Sequence, residues 1–139
     1  VRVLVAPALP ALPLLAPGGL LDVGSGNGSP GLVLSLLEPR RPATLLEPRA
    51  RRWAFLREAA RAAGRPDVRV LRARHDAYAG PVAANVTLRG LRLPLSALEP
   101  LVEPGGRVLV FGDPPAPGGG WRELRPAGAA RPSVFVRMA

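Results

Sequence analysis

Residues 21–31 read LDVGSGNGSPG: an apolar run ending in Asp22-Val23, then glycines at positions 24, 26, 28 and 31. Four glycines this close together make a poor helix and a poor strand, because each loses more backbone freedom on ordering than any other residue. What they permit is left-handed backbone and amides that approach a small ligand with no Cβ in the way. Gly24, Gly26 and Gly28 form G-x-G-x-G. Position 29 is serine, so the dinucleotide spacing G-x-G-x-x-G is not met, and no G-x-x-x-x-G-K-[ST] stretch exists to cradle a nucleotide's phosphates.

The surrounding units decide what kind of domain carries this loop. "GLLDV" (19–23) is an apolar run of buried-strand type, and "PGLVLSLLEP" (30–39) is a short helix with proline near its start. "ATLLE" (43–47) is the second strand. "PRARRWAFLREAARAAG" (48–64) is the clearest helix, with Pro48 at its start and Gly64 past its end. Its apolar stripe is expected at Trp53, Leu56, Ala60 and Ala63, with arginines on the remaining faces. "DVRVLRA" (67–73) and "PVAANVTLR" (81–89) read as strands, "LPLSALEPLV" (93–102) as a short helix, and "GRVLVFG" (106–112) as the fifth strand. After a Pro/Gly-rich turn, "WRELRP" and "PSVFVRMA" make a terminal antiparallel pair. Strands alternating with helices predict a largely parallel sheet with helices on both faces. Ligands then sit beyond the carboxyl ends of the strands, which brings the glycine loop, Glu47, the 74–76 segment and residues 88–90 to one edge.

The N-terminal part is less regular. "VRVLVA" (1–6) has the composition of a short strand, and "PALPALPLLAP" (7–17) repeats proline every three residues, which predicts an extended polyproline II connector. The division expected is a Pro-rich segment over 1–18 and a ligand-binding domain over 19–139. Residues 3–21 carry no charge, as a signal peptide would, but four prolines argue against a helix there. A start at Val1 instead of Met is what a trimmed or partial product shows.

Composition narrows the chemistry. The 139 residues suit one domain, and 47% of them are hydrophobic. With no cysteine, disulfides, zinc–thiolate sites and thiol catalysis are excluded, and a reducing cytoplasm is the expected setting. His75 is the only histidine, which leaves no resident metal site to expect. All 19 basic residues are arginine, and the net charge of +9 favours a polyanionic partner such as nucleic acid. The arginine-rich helix 49–61 is either a basic face for RNA or a solvated helix surface.

Nineteen residues after Gly28, Glu47 ends the second strand, where a carboxylate can accept both ribose hydroxyls of an adenosine. Asp76 follows the third strand and is placed to accept from an adenine amino group. Asp22, directly before the loop, suits a cationic ligand better than a pyrophosphate. A nicotinamide or flavin site, or a tight turn without a ligand, are the competing readings. "GDPPAP" (112–117) has the prolines of an amine-gripping motif but lacks its aromatic residue and follows the wrong strand, so it reads as a proline turn.

Asp-x-Gly-x-Gly-x-Gly with a later ribose carboxylate resembles motif I of class I S-adenosylmethionine-dependent methyltransferases. "LDVGSGNGSPG", "LLEPRARRWAFL", "VRVLRARHD" and "VTLRGL" together resemble the glucose-inhibited-division-B family, over about Leu20 to Gly112. Those enzymes methylate guanine N7 in bacterial small-subunit ribosomal RNA. The resemblance implies a Rossmann-like α/β fold, S-adenosylmethionine as cofactor, and ribosomal RNA or the small ribosomal subunit as partner, with no membrane. It implies a cofactor site at Asp22, Gly24, Ser25, Gly26, Gly28, Ser29, Glu47, His75, Asp76 and Arg89, with Arg89 also the candidate for positioning substrate as a catalytic residue. Arg89 is read equally as a guanine or phosphate contact and as a structural ion-pair partner. The chain departs from the family at Ser29, at Val82-Ala83-Ala84-Asn85, where an aspartate is usual, and at Phe111-Gly112, where Lys-Gly is common. A diverged paralogue that binds without turnover and a small-molecule methyltransferase are the alternative functions.

Overall fold

The computed structural model describes residues 6, 8–124 and 132–139. Among these, seven strands form one sheet: β1 (Leu20–Val23), β2 (Ala43–Leu46), β3 (Arg69–Leu71), β4 (Ala83–Arg89), β5 (Val102–Phe111), β6 (Trp121–Leu124) and β7 (Ser133–Arg137). Their order is β3-β2-β1-β4-β5-β7-β6, with β1 to β5 parallel and β7 antiparallel to both its neighbours. The expected sheet, mostly parallel with a terminal antiparallel pair, is therefore present. The chain order reverses between β1 and β4, and the crevice outside their carboxyl ends is where such a sheet receives ligands.

Period-two alternation sorts the strand residues into two cores. Leu21, Val23, Leu46, Val86, Leu88, Val108 and Val110 face one layer with Leu95 and Leu98 of the short helix α3 (Leu95–Leu98). Leu20, Leu45 and Leu109 face the other, against α1 (Gly31–Leu37) and α2 (Ala50–Ala62). Helices thus cover both faces. Leu56 and Ala60 anchor α2 in the second core, while Trp53 is half-buried and donates from its indole Nε1 to the Val70 carbonyl at 3.1 Å. Ala63, expected in the stripe, is instead exposed: α2 ends at Ala62, and the chain turns away through Gly64 at φ +77°.

The expected polyproline connector is corrected by the structure. Leu9–Leu14 form a 3-10 helix, with Ala8 and Ala11 fully buried in the second core. Proline every third residue suits both conformations, since each has about three residues per turn and a φ near that of proline. Spacing fixes the period but not ψ, and burial of the two alanines favours the compact form. Asn85 then clips the following link to the sheet: its Oδ1 accepts from the Ala16 N–H at 2.8 Å and its Nδ2 donates to the Ala16 carbonyl at 2.8 Å. Arg107 adds a bond to the Leu14 carbonyl at 2.8 Å. The strand expected over residues 1–6 lies outside the described residues apart from Ala6, as do Arg125 and Pro126 of the expected terminal pair.

Candidate functional site

A cleft of about 540 Å³ opens at the carboxyl ends of β1, β2 and β4. Its floor is the glycine loop, and positive φ is used where the sequence provides for it, at Gly24 (+68°), Gly26 (+55°) and Gly28 (+103°). A Cβ on Gly24 would stand 2.6 Å from Leu91 Cδ1, so a side chain there would have to displace that leucine as well as adopt a left-handed backbone.

Two carboxylates shape this loop in different ways. Glu47, at the end of β2, is 3% exposed. Its Oε1 accepts from the Gly26 N–H at 2.9 Å and its Oε2 from the Arg49 N–H at 2.9 Å. One side chain thereby ties the glycine loop to the start of α2, and each oxygen keeps a further lone pair for a ligand. Asp22 lies under the loop, 1% exposed. Its Oδ1 accepts from the Thr87 hydroxyl, its register partner on β4, at 2.6 Å. Burial pushes its carboxyl up to about 6, which the nearby Ser25 hydroxyl, Thr87 and the Gly31 N–H temper. Neither Asp22 Oδ2 nor Ser25 Oγ completes a hydrogen bond among the described residues. A Cβ on Gly31 would stand 2.3 Å from Asp22 Oδ2, which accounts for the glycine that opens α1.

Of the residues named from sequence, Gly24, Ser25, Gly26, Ser29, Glu47, His75 and Arg89 line the cleft. Three do not. Asp22 is the support beneath the loop, and Gly28 is buried behind it, where a Cβ would press on Leu32 at 3.2 Å. Asp76 is exposed outside the lining, with its Oδ1 3.4 Å from Arg74 Nε. Arg89 pairs with no carboxylate among the described residues and stands at the cleft wall.

The cleft also holds Arg74, from the segment that the sequence brings to this edge, Arg49 and Arg52, from the arginine-rich helix, and Asn27, Leu91 and Leu93, which the sequence does not single out. Arg49 and Arg52 follow Glu47 so closely that helix periodicity alone would have placed them at the same sheet edge. Leu91 and Leu93 gave no such signal, since their approach to Gly24 depends on how the chain turns after β4. No cluster of three or more metal-ligating side chains occurs among the described residues. None of their helices is long and apolar enough to cross a membrane.

The chain resembles known proteins at two levels. Curated relatives include the ribosomal RNA small subunit methyltransferase G of Halorhodospira halophila, 42% identical over 101 residues that make up 70% of this chain and 48% of that protein. That of Nocardioides sp. is 45% identical over 95 residues, 65% of this chain and 38% of the relative. The chain thus spans about half the length, or less, of these relatives. Among solved structures, TrmN from Thermus thermophilus superposes with a TM-score of 0.73 at 24% identity, covering 95% of this chain and 48% of that one. An RNA methyltransferase from Salinibacter ruber, solved with S-adenosyl-L-homocysteine, superposes with a TM-score of 0.70 at 20% identity over 96% of this chain and 90% of its own. These structures share the Rossmann-like fold. The family model for rRNA small subunit methyltransferase G, GidB, matches residues 4–112, and with the glycine loop, Glu47 and the β1–β4 crevice all inside that span, the chain belongs to the GidB family.

Proposed function

We propose that this chain is the cofactor-binding body of an S-adenosylmethionine-dependent methyltransferase that acts on guanine N7 of small-subunit ribosomal RNA in the cytoplasm. The observation that carries the reading is Glu47, buried at the end of β2 with one oxygen on the Gly26 N–H and the other on the Arg49 N–H. The donor set fits the cofactor. Gly24 and Gly26 line the cleft with bare backbone, and Glu47 has lone pairs for a ribose diol. The Salinibacter ruber protein, similar in fold, binds the demethylated form of the same cofactor.

When bound, S-adenosylmethionine supplies a methyl group on a positively charged sulfur, which a neutral lone pair displaces with no proton to remove. A general base is accordingly not needed, and the protein's task is alignment and exclusion of water. Glu47 and the glycine loop fix the donor side, with Asp22 holding the loop from below. Arg89, at the end of β4 and without a carboxylate partner among the described residues, is the residue best placed to position the acceptor. Arg49, Arg52 and Arg74 give the cleft rim the positive charge that an RNA backbone requires.

Calorimetric titration with S-adenosylmethionine and S-adenosylhomocysteine tests this reading, with NAD as control and Gly24→Val as the broken loop. Micromolar binding that the substitution abolishes, with no response to NAD, supports the cofactor. Methyl transfer to small-subunit RNA, mapped to a guanine N7, then supports the acceptor. No binding of either nucleoside would remove the enzyme reading altogether.

A further inference from the structure

Beside the cofactor cleft lies a second hollow of about 280 Å³, between the segment Leu91 to Pro94 after β4 and Asp113 to Pro115 after β5. The two hollows are continuous in their walls: Leu91 and Leu93 line both. The slot is apolar on its flanks, from leucine and proline, and carries two charged groups, Arg92 and Asp113, whose Nη2 and Oδ2 are 3.4 Å apart. Both side chains are largely exposed, and an exposed ion pair of this kind contributes so little that a ligand displaces it at small cost. The prolines of "GDPPAP", a turn with no assigned role in sequence, stiffen one wall of this slot.

Resting on the reading of the cleft as a methyl-donor site, we propose that this slot seats the acceptor guanine, with Asp113 accepting hydrogen bonds from its N1–H and 2-amino group. The chemistry selects that base and that edge. A carboxylate only accepts, and guanine is the purine whose Watson–Crick edge offers two adjacent donors. Adenine presents a lone pair at N1 and repels it. The N1 and 2-amino edge lies across the purine from N7, so a base held there by Asp113 turns N7 away from the β5 loop, toward the wall shared with the cofactor cleft. Asp113 is thus a specificity-determining residue, and breaking its pair with Arg92 releases that arginine for a phosphate of the same RNA.

The test uses small-subunit RNA fragments identical except for guanosine, inosine or adenosine at the acceptor position; inosine keeps N7, O6 and N1–H and lacks only the 2-amino group. S-adenosylhomocysteine affinity is measured first by calorimetry. RNA binding in its presence is then followed by fluorescence anisotropy, and methyl transfer under single-turnover conditions. The wild-type chain should prefer guanosine over inosine roughly tenfold, as for a hydrogen bond to a charged group. Asp113→Ala should bring that ratio close to one and Asp113→Asn, which keeps one uncharged acceptor, should lower it to a few-fold, with S-adenosylhomocysteine affinity unchanged in both. A wild-type chain that binds the nucleoside but treats guanosine and inosine alike overturns the assignment, as does an Asp113 variant that keeps the full preference. Failure of the wild-type chain to bind S-adenosylhomocysteine at all overturns it at the earlier step, by removing the donor site on which it rests.

Discussion

On the β1 side of the crevice the polar groups that shape the site are buried: Asp22 and Ser25 are each 1% exposed and Glu47 is 3%. On the β5 side the charged groups stand in solvent, with the Arg92 and Asp113 side chains 88% and 86% exposed. The first wall is determined by packing, since Asp22 lies buried below the loop, Glu47 ties its flank, and Gly31 passes so close to Asp22 that no Cβ fits. The second is two short loops with stiff prolines and side chains free to rearrange. A rigid wall suits a small nucleoside bound in one pose, and an adaptable wall suits a base delivered on a large RNA. Substitutions on the first side should therefore be felt in stability, and those on the second mainly in substrate handling.

The largest effect is expected at Gly31. In Gly31→Ala the new Cβ meets Asp22 Oδ2 at 2.3 Å and its Cγ at 2.4 Å, both packed under the loop, so α1 must shift. The gain in helix propensity is at most about 1 kcal/mol, and the overpacking exceeds it. Net destabilisation of about 2–3 kcal/mol is expected from urea unfolding, together with weakened S-adenosylhomocysteine binding. A variant as stable as the wild type would break the contrast, because the loop would then not be held by its packing.

Next comes the pH dependence contributed by Asp22. Its carboxyl is raised from 3.8 to about 6 in the fold, so the folded state holds the proton more tightly than the unfolded chain does. That stabilisation is complete below pH 3.8 and is lost as the pH rises through 6, a fall of up to about 3 kcal/mol across the window. Asp22→Asn keeps an acceptor for the Thr87 hydroxyl and removes the titration. Relative to the wild type, the variant should gain stability steadily between pH 4 and pH 7, read from urea midpoints. A difference that stays constant with pH would show that Asp22 does not titrate under the loop.

Gly24 sharpens the comparison because it couples the two walls. Gly24→Ala costs about 1–2 kcal/mol from φ alone, and more from the contact with Leu91. Adding Leu91→Ala relieves the contact but leaves the strained backbone. The double variant should recover less than half of the stability and of the S-adenosylhomocysteine affinity lost in the single one. Full recovery would make the restraint a matter of Leu91 and not of the loop's own conformation.

The rigid wall was also the more legible one. Asp22, the alternate glycines and Glu47 are read from spacing because a parallel sheet brings the ends of β1 and β2 side by side once the strands are placed. The adaptable wall left little trace: Leu91, Leu93 and Asp113 approach the crevice through turns whose ψ angles no local pattern specifies. Asp76 shows the same limit from the other direction. Its position after β3 was legible, but the choice between the cleft and Arg74 is made by side-chain torsions. In the Pro-rich segment, the three-residue period was visible and the burial of Ala8 and Ala11 was not, so the compact 3-10 form went unread.

The smallest stability effect, and the sharpest test of the contrast, is expected at Arg92. Arg92→Ala removes one exposed half of a 3.4 Å ion pair, which should shift unfolding by less than about 0.5 kcal/mol. Its effect on RNA should be larger. An arginine that meets one phosphate contributes about one unit to the slope of log affinity against log salt, so the variant's slope should fall by about one while its guanosine-over-inosine ratio stays as in the wild type. Lost stability with an unchanged salt slope would mean that the ion pair supports the β5 loop. The outer wall of the crevice would then be as structural as the inner one.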